Sequence, residues 1–247
     1  MAYLSWIADE KIKACVREVL VKGFEGIQKA DKNIFRNGVD PFSALFDAAC
    51  HNISLETWMT FERRRQSQKT LQNALGGFHQ QVLSKVEGWH IPDENFVDLV
   101  CESRKIVVEV KNKHNTVKKS DLKSIYDELQ QAVMHKTSRY RGYTGYYVTV
   151  IPDSHVRFNR TFIPPDNATR TLKASNELIR EVDGFSFYAL VTEQENALQG
   201  LYRALPTIIK SVLTEDCFQK FPQNHVDSLF ASPQLNQLFG EAFGVHP

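Results

Sequence analysis

At 247 residues, 42% hydrophobic and 11% aromatic, the chain can bury a sizeable core, which excludes a disordered protein. Thirty basic against 29 acidic residues leave a net charge of +1, so the overall balance gives no reason to invoke nucleic acid. No run approaches the ~18 apolar residues of a membrane span, Met-Ala-Tyr-Leu-Ser-Trp has no signal-peptide pattern, and Cys15, Cys50, Cys101 and Cys217 lack disulfide or zinc spacing, which predicts reduced thiols in a cytoplasmic protein.

In chain order, residues 7–29 predict a helix with Ile12, Val16, Val19 and Leu20 on one stripe, weakened at its end by Gly23 and Gly26. Asn37-Gly38 and Asp40-Pro41 mark a turn before a short helix over 41–52 with Phe42, Leu45, Phe46 and Ala49 on its stripe. Ser54 is the expected N-cap of a long helix to about residue 86 that buries Leu71, Leu75, Phe78, Val82 and Val86. The period then changes from 3.6 to 2. Residues 96–101 and 105–113 are rich in β-branched side chains and predict an antiparallel hairpin across 102–104. Ser120 is the expected cap of a helix through 135, with Leu122, Ile125, Leu129 and Val133 inward. A third strand is expected over 145–151, a fourth over 185–192, and a helix over 195–213 bent at Pro206. The polar segment 152–176 is too long for a plain connection, and such segments are usually functional.

The hairpin carries the chemistry. Alternate side chains of a strand share a face, so Glu109 and Lys111 point one way while Val108 and Val110 point the other. Asp98, between Val97 and Leu99 on the neighbouring strand, can place a second carboxylate beside Glu109. Two such acids repel unless a cation lies between them. A hard ion such as Mg²⁺ takes oxygen ligands, here Asp98, Glu109 and the Val110 carbonyl. Such an ion neutralises charge at a phosphorus and activates a bound water, and Lys111 can orient or deprotonate that water. Asp93, in Pro92-Asp93, lies before the apolar run and reads as a turn former.

Asp98, then ten residues before the Glu109 of Val-Val-Glu-Val-Lys-Asn-Lys, inside two apolar strands and ahead of an amphipathic helix, resembles the PD-(D/E)xK nuclease superfamily. The resemblance implies an α/β fold with a central mixed β-sheet flanked by helices, helical additions at both ends, and one nuclease domain over 1–247 with its core at about 55–213. It also implies a Glu on the helix before the hairpin. Glu62 is the candidate, on a polar face with Gln66, Lys69 and Asn73, where a solvated side chain is equally expected. Three stretches (65–73, 108–116 and 179–188) resemble type II restriction endonucleases that cut GGNCC- or GGWCC-like sites, and no P-loop of an ATP-driven subunit occurs.

That resemblance implies Mg²⁺-dependent hydrolysis of double-stranded DNA at a short, (pseudo)palindromic, G·C-rich site, leaving 5′-phosphates and 3′-hydroxyls. A palindrome implies a homodimer, and a cognate cytosine methyltransferase is expected nearby in the genome. Residues 104–141 hold ten Lys and Arg against four acids, a local excess of +6 that suits a polyanion on one face. Lys113, His114, Lys118 and Lys119 are the expected backbone contacts. In the segment 152–176, the expected reader, Arg157, Asn159, Arg160, Asn167, Arg170 and Lys173 are the candidate DNA contacts, since Arg can pair with guanine and Asn with adenine. His79 and His135 are expected to be ordinary hydrogen-bonded helix residues. A repair or structure-selective nuclease of the same superfamily, or a DNA-binding protein without catalysis, are the competing functions.

Overall fold

Leu99–Cys101 (β1) and Ile106–Lys113 (β2) pair antiparallel, Leu99 opposite Val108 and Cys101 opposite Ile106. The hairpin turns at Lys105, which takes φ +52 while its N–H bonds the Glu102 carbonyl at 3.1 Å. Thr144–Ile151 (β3) follows, then Asn159–Thr161 (β4), Pro165–Asp166 (β5), Thr171–Leu172 (β6) and Ile179–Asp183 (β7). β2, β3 and β7 run parallel, and β4 adds antiparallel to β7. The result is a five-stranded mixed sheet in the order β1-β2-β3-β7-β4, with β5 and β6 forming a separate two-stranded ribbon. The computed structural model describes residues 2–93, 96–118, 120–166, 169–219 and 226–244.

The chain forms two compact units, Ala14–Phe78 and the rest. In the larger unit a parallel step from β2 to β3 needs a crossover helix, and residues Leu122–Met134 supply it. With Asp9–Asn33 as α1, Pro41–Cys50 as α2, Leu55–Gly76 as α3 and Phe78–Leu83 as α4, this crossover is α5. Its stripe of Ile125, Leu129, Ala132 and Val133 is buried with Val100, Val107, Tyr147 and Ile179 of the sheet and with Phe162 just past β4. Gly145 lets it come close, since a Cβ there would stand 3.3 Å from Leu129. Each such side chain contributes about 1.5–3 kcal/mol by leaving water. The cap of α5 is Asp121 rather than Ser120, whose hydroxyl bonds the Asp121 carboxylate instead.

The fourth expected strand is a helix, α6 (Gly184–Thr192), and the strand lies just before it as β7. Asp183 decides this boundary. Its carboxylate accepts the Ser186 N–H at 3.0 Å, a helix N-cap, and the Phe158 N–H at 2.7 Å. Apolar residues at 185, 187, 188 and 191 also suit a buried helix turning away from the sheet, and Phe187 meets Tyr146 at 6.0 Å between ring centroids. Ala197–Leu213 (α7) carries Pro206 within it, as expected. Val226–Phe230 (α8) and Gln234–Phe243 (α9) follow.

In the unit Ala14–Phe78 the helices depart from their expected limits. α1 runs on to Asn33 because its glycines serve packing: a Cβ on Gly26 would lie 2.9 Å from Thr70 Cβ on α3. The long helix expected over 54–86 stops at the Gly76-Gly77 pair, where helix propensity is lowest apart from proline. Ser54 caps α3 through the Thr57 N–H as predicted. On α2 the small side chains Ala44 and Ala48 face Trp58, while Phe42 and Phe46 stay 72% and 73% exposed. The hydrogen bond from Trp58 Nε1 to Asp47 (2.9 Å) sets that orientation.

Candidate active site

Three cross-strand rows on the α5 side of the sheet define the site. The first, Val107 with Gly145 and Ile179, is apolar and covered by α5. Two residues further along the parallel strands comes the second row, in which Glu109 is paired with Tyr147, Tyr147 with Glu181, and Glu181 with Arg160. Asp98 extends this row at the near edge, close enough to Glu109 for its negative charge to act on that carboxyl. The third row holds Lys111, Thr149 and Asp183. The face thus changes from hydrocarbon to charge within one pleat, at the carboxyl ends of parallel strands, where α/β proteins place their ligands.

Asp98 precedes the first paired residue of β1, yet its own N–H still bonds Val108 O at 2.8 Å. Its Oδ2 accepts the Val110 N–H at 2.7 Å. The Glu109 carboxylate, 16% exposed, accepts from Lys111 Nζ at 2.5 Å. Burial pushes the Asp98 carboxyl above the ordinary carboxylate range despite the Val110 N–H. Burial also raises Glu109, and the negative charge of Asp98 raises it further. For Lys111, burial opposes the charge, but the hydrogen bond and charge of Glu109 outweigh it and hold the amine protonated.

This set can hold a hard cation. Two carboxylates that resist sharing negative charge in a half-buried place gain from a positive ion between them. Among the described residues no group of three or more His, Cys, Asp or Glu converges as a metal cage. Mg²⁺ needs none, since it binds through one or two carboxylates and completes its shell with water and phosphate oxygens.

The other expected residues are scattered. Glu62 lies in the unit Ala14–Phe78, on α3, and is buried rather than solvated, 7% exposed. Both its oxygens are engaged, by Arg65 at 2.6 and 2.7 Å and by Gln66 at 2.9 Å, and the Arg65 hydrogen bond holds its carboxyl below the usual range. Asp93 is exposed, five residues before Asp98. Lys113 and Lys118 are exposed, His114 stands 3.3 Å from Asp153, and Lys119 and Asn167 lie outside the described residues.

The segment 152–176 is partly a strand of the main sheet, β4, because Asn159 and Thr161 find partners on β7. Several of its expected readers are therefore tied down. Arg157 lies over Phe185 (4.6 Å) and pairs with Glu195 at 3.4 Å. Asn159 Oδ1 accepts from Arg180 Nε at 2.7 Å. Lys173 pairs with Asp127 at 2.6 Å over the Tyr126 ring. Arg170 is exposed, at φ +56. His79 of α4 is bonded as expected, Nδ1 to Tyr188 Oη at 2.8 Å, whereas His135 lies just past α5 as its C-cap, its Nδ1 bonded to Thr137 Oγ1 at 2.9 Å.

Sequence reasoning missed Tyr147, Glu181 and Glu128. Tyr147 is bonded by Thr149 and faces the charges of Lys111, Glu181 and Glu109, while Glu128 of α5 adds negative charge near Glu109. The parity of a strand tells which of its own residues share a face. It does not tell which face that is relative to β2, and that register was the missing signal.

A model of the Eco47II restriction endonuclease family matches residues 4–214. The chain is 43% identical over 216 residues to the type II restriction enzyme Eco47II of Escherichia coli, covering 87% of this chain and 90% of that protein. It is 31% identical over 212 residues to the type II restriction enzyme Sau96I of Staphylococcus aureus, covering 83% and 78%.

Proposed function

The chain belongs to the Eco47II restriction endonuclease family, and from that premise we propose that Asp98, Glu109 and Lys111 form its Mg²⁺-dependent cutting centre. It is a type II restriction endonuclease, a site-specific deoxyribonuclease acting on double-stranded DNA. The observation that carries the site assignment is the step from the second sheet row to the third, where two half-buried acids and a protonated amine meet toward the carboxyl end of β2.

Asp98 and Glu109 would hold the ion together with the Val110 carbonyl. When bound, Mg²⁺ supplies charge neutralisation at the phosphorus and an acidified water. The chain's own residues do the rest. The Val110 N–H fixes the Asp98 carboxylate against the strand that bears Glu109. Lys111, held charged, donates to a non-bridging phosphate oxygen or orients the attacking water. α5 keeps water off the apolar row behind. The water oxygen bonds to phosphorus as the P–O3′ bond breaks and the leaving O3′ takes up a proton, which leaves a 5′-phosphate and a 3′-hydroxyl.

The recognition site is a short, G·C-rich (pseudo)palindrome, and cutting both strands of it calls for a homodimer with one centre per strand. A cytosine methyltransferase encoded nearby protects the host DNA, and both proteins work in the cytoplasm, consistent with four free cysteines and no helix long and apolar enough to cross a membrane among the described residues. The family match spans both compact units, which supports treating the chain as a single nuclease domain. Exposed Lys113, Lys118 and Arg170 contact the DNA backbone. Glu62 serves by holding Arg65 rather than by touching the metal, since both of its oxygens are engaged.

Plasmid digestion with Mg²⁺, followed by sequencing of the ends, tests this reading. Wild type should yield discrete fragments with 5′-phosphates, and Glu109→Ala or Lys111→Ala should lose cleavage by about 10²- to 10³-fold without loss of fold or dimer. Full activity in either variant removes it from the centre.

A further inference from the structure

The charged row does not end at the acids. Past Tyr147 it reaches Glu181 and Arg160, which line a cavity of about 340 Å³ with His114, Tyr147, Thr149 and Phe158 among its walls. Arg160 is fixed there in two ways. Its Nε donates to Glu181 Oε1 at 2.6 Å, and its guanidinium lies over the Phe158 ring, 4.9 Å from the centroid. Its two Nη groups make no hydrogen bond among the described residues, and the side chain is 67% exposed.

A guanidinium held by Nε on one side and by a ring beneath presents Nη1 and Nη2 as a planar, two-donor fork. That fork fits the adjacent O6 and N7 acceptors of guanine in the major groove. Charge argues the same way. A phosphate contact needs positive potential above all, and an acid in contact with the Arg cancels much of it. A base edge needs direction, which the acid supplies. Resting on the nuclease reading above, we propose that Arg160 reads a guanine of the recognition site and that Glu181 is its positioning residue. Because Glu109, Tyr147, Glu181 and Arg160 are successive register partners across four neighbouring strands, the reader stands at a distance from the cutting acids that the strand register sets.

The test uses the dimeric enzyme as purified, with calcium replacing magnesium to prevent cutting, and duplexes in which each guanine of the mapped site is changed in turn to 7-deazaguanine. Wild type should bind about 5- to 150-fold more weakly when the guanine at one position of the half-site is replaced, and likewise at its symmetry mate, the range a bidentate contact is worth. Arg160→Ala should show no penalty at that guanine while keeping the penalties elsewhere. Glu181→Ala should show most of the penalty gone, and Glu181→Gln, whose amide oxygen still accepts from Nε, should retain it. Three outcomes overturn the proposal: an Arg160→Ala protein as sensitive as wild type at every guanine, loss of affinity by that variant on all duplexes alike, or a Glu181→Ala protein with wild-type sensitivity. A wild type that cuts no plasmid at all would instead overturn the nuclease reading.

Discussion

Val110 gives its backbone N–H to Oδ2 of Asp98 across 2.7 Å, tying the first acid of the proposed centre to the strand that bears the second. The bond has two consequences that different substitutions separate. Asp98→Asn keeps an acceptor for Val110, so its thermal midpoint should stay near wild type while plasmid cleavage falls by at least about 10²-fold. Asp98→Ala leaves a half-buried N–H without its partner and should lose stability by about 1–3 kcal/mol as well. Equal midpoints for the two variants would deny the bond its structural share.

Glu62 is tied to Arg65 and Gln66 on the same helix. Glu62→Ala strips a buried carboxylate from both, so about 1–3 kcal/mol of stability should go, read as a shifted denaturant midpoint. Cleavage at 25 °C should stay within about tenfold of wild type, a far smaller loss than removal of a transition-state contact gives. A loss as large as that of Glu109→Ala would return Glu62 to the cutting centre.

Gly184 opens α6 against β3, and a Cβ there would lie 2.3 Å from the Val150 carbonyl oxygen. Backbone cannot step aside as a flexible side chain does. Gly184→Ala should therefore destabilise by about 3 kcal/mol or more, in chemical denaturation. A midpoint within experimental error of wild type would show that the β3–α6 junction can open.

His79 is bonded to Tyr188 and, by burial, has its pKa lowered from 6.5 to about 4. Below pH 6.5 the unfolded chain takes up a proton at this imidazole and the folded chain does not, until pH approaches 4. Folding stability therefore falls as pH drops through that window, by about 2–3 kcal/mol from this residue. His79→Asn should show a shallower decline between pH 7 and pH 4, measured by denaturant midpoints at each pH. Parallel curves for the two proteins would mean that His79 is protonated in the fold.

Much of the arrangement of Asp98, Glu109 and Lys111 was legible without coordinates because its signal is local. The apolar alternation of 105–113 places Glu109 and Lys111 on one face whatever surrounds them, and the short turn at 102–104 leaves Asp98 little choice but to lie beside Glu109. The crossover helix followed from spacing as well, since Ile125, Leu129 and Val133 recur at helical period. Where local signals compete, the reading failed. Residues 185–192 carry strand-like composition, and only the Asp183 carboxylate capping the Ser186 N–H turns them into α6.

The chain alone determined that two acids and an amine share a strand face beside a β-hairpin, because side-chain parity and a tight turn are properties of consecutive residues. Only tertiary structure decided what continues that row: that Tyr147, Glu181 and Arg160 complete it, that β4 joins the main sheet, and that Glu62 points its oxygens at Arg65. The reason is register. Pairing between strands far apart in sequence is set by which apolar faces α5 and α6 can bury together, a choice made by the whole core and written in no single segment.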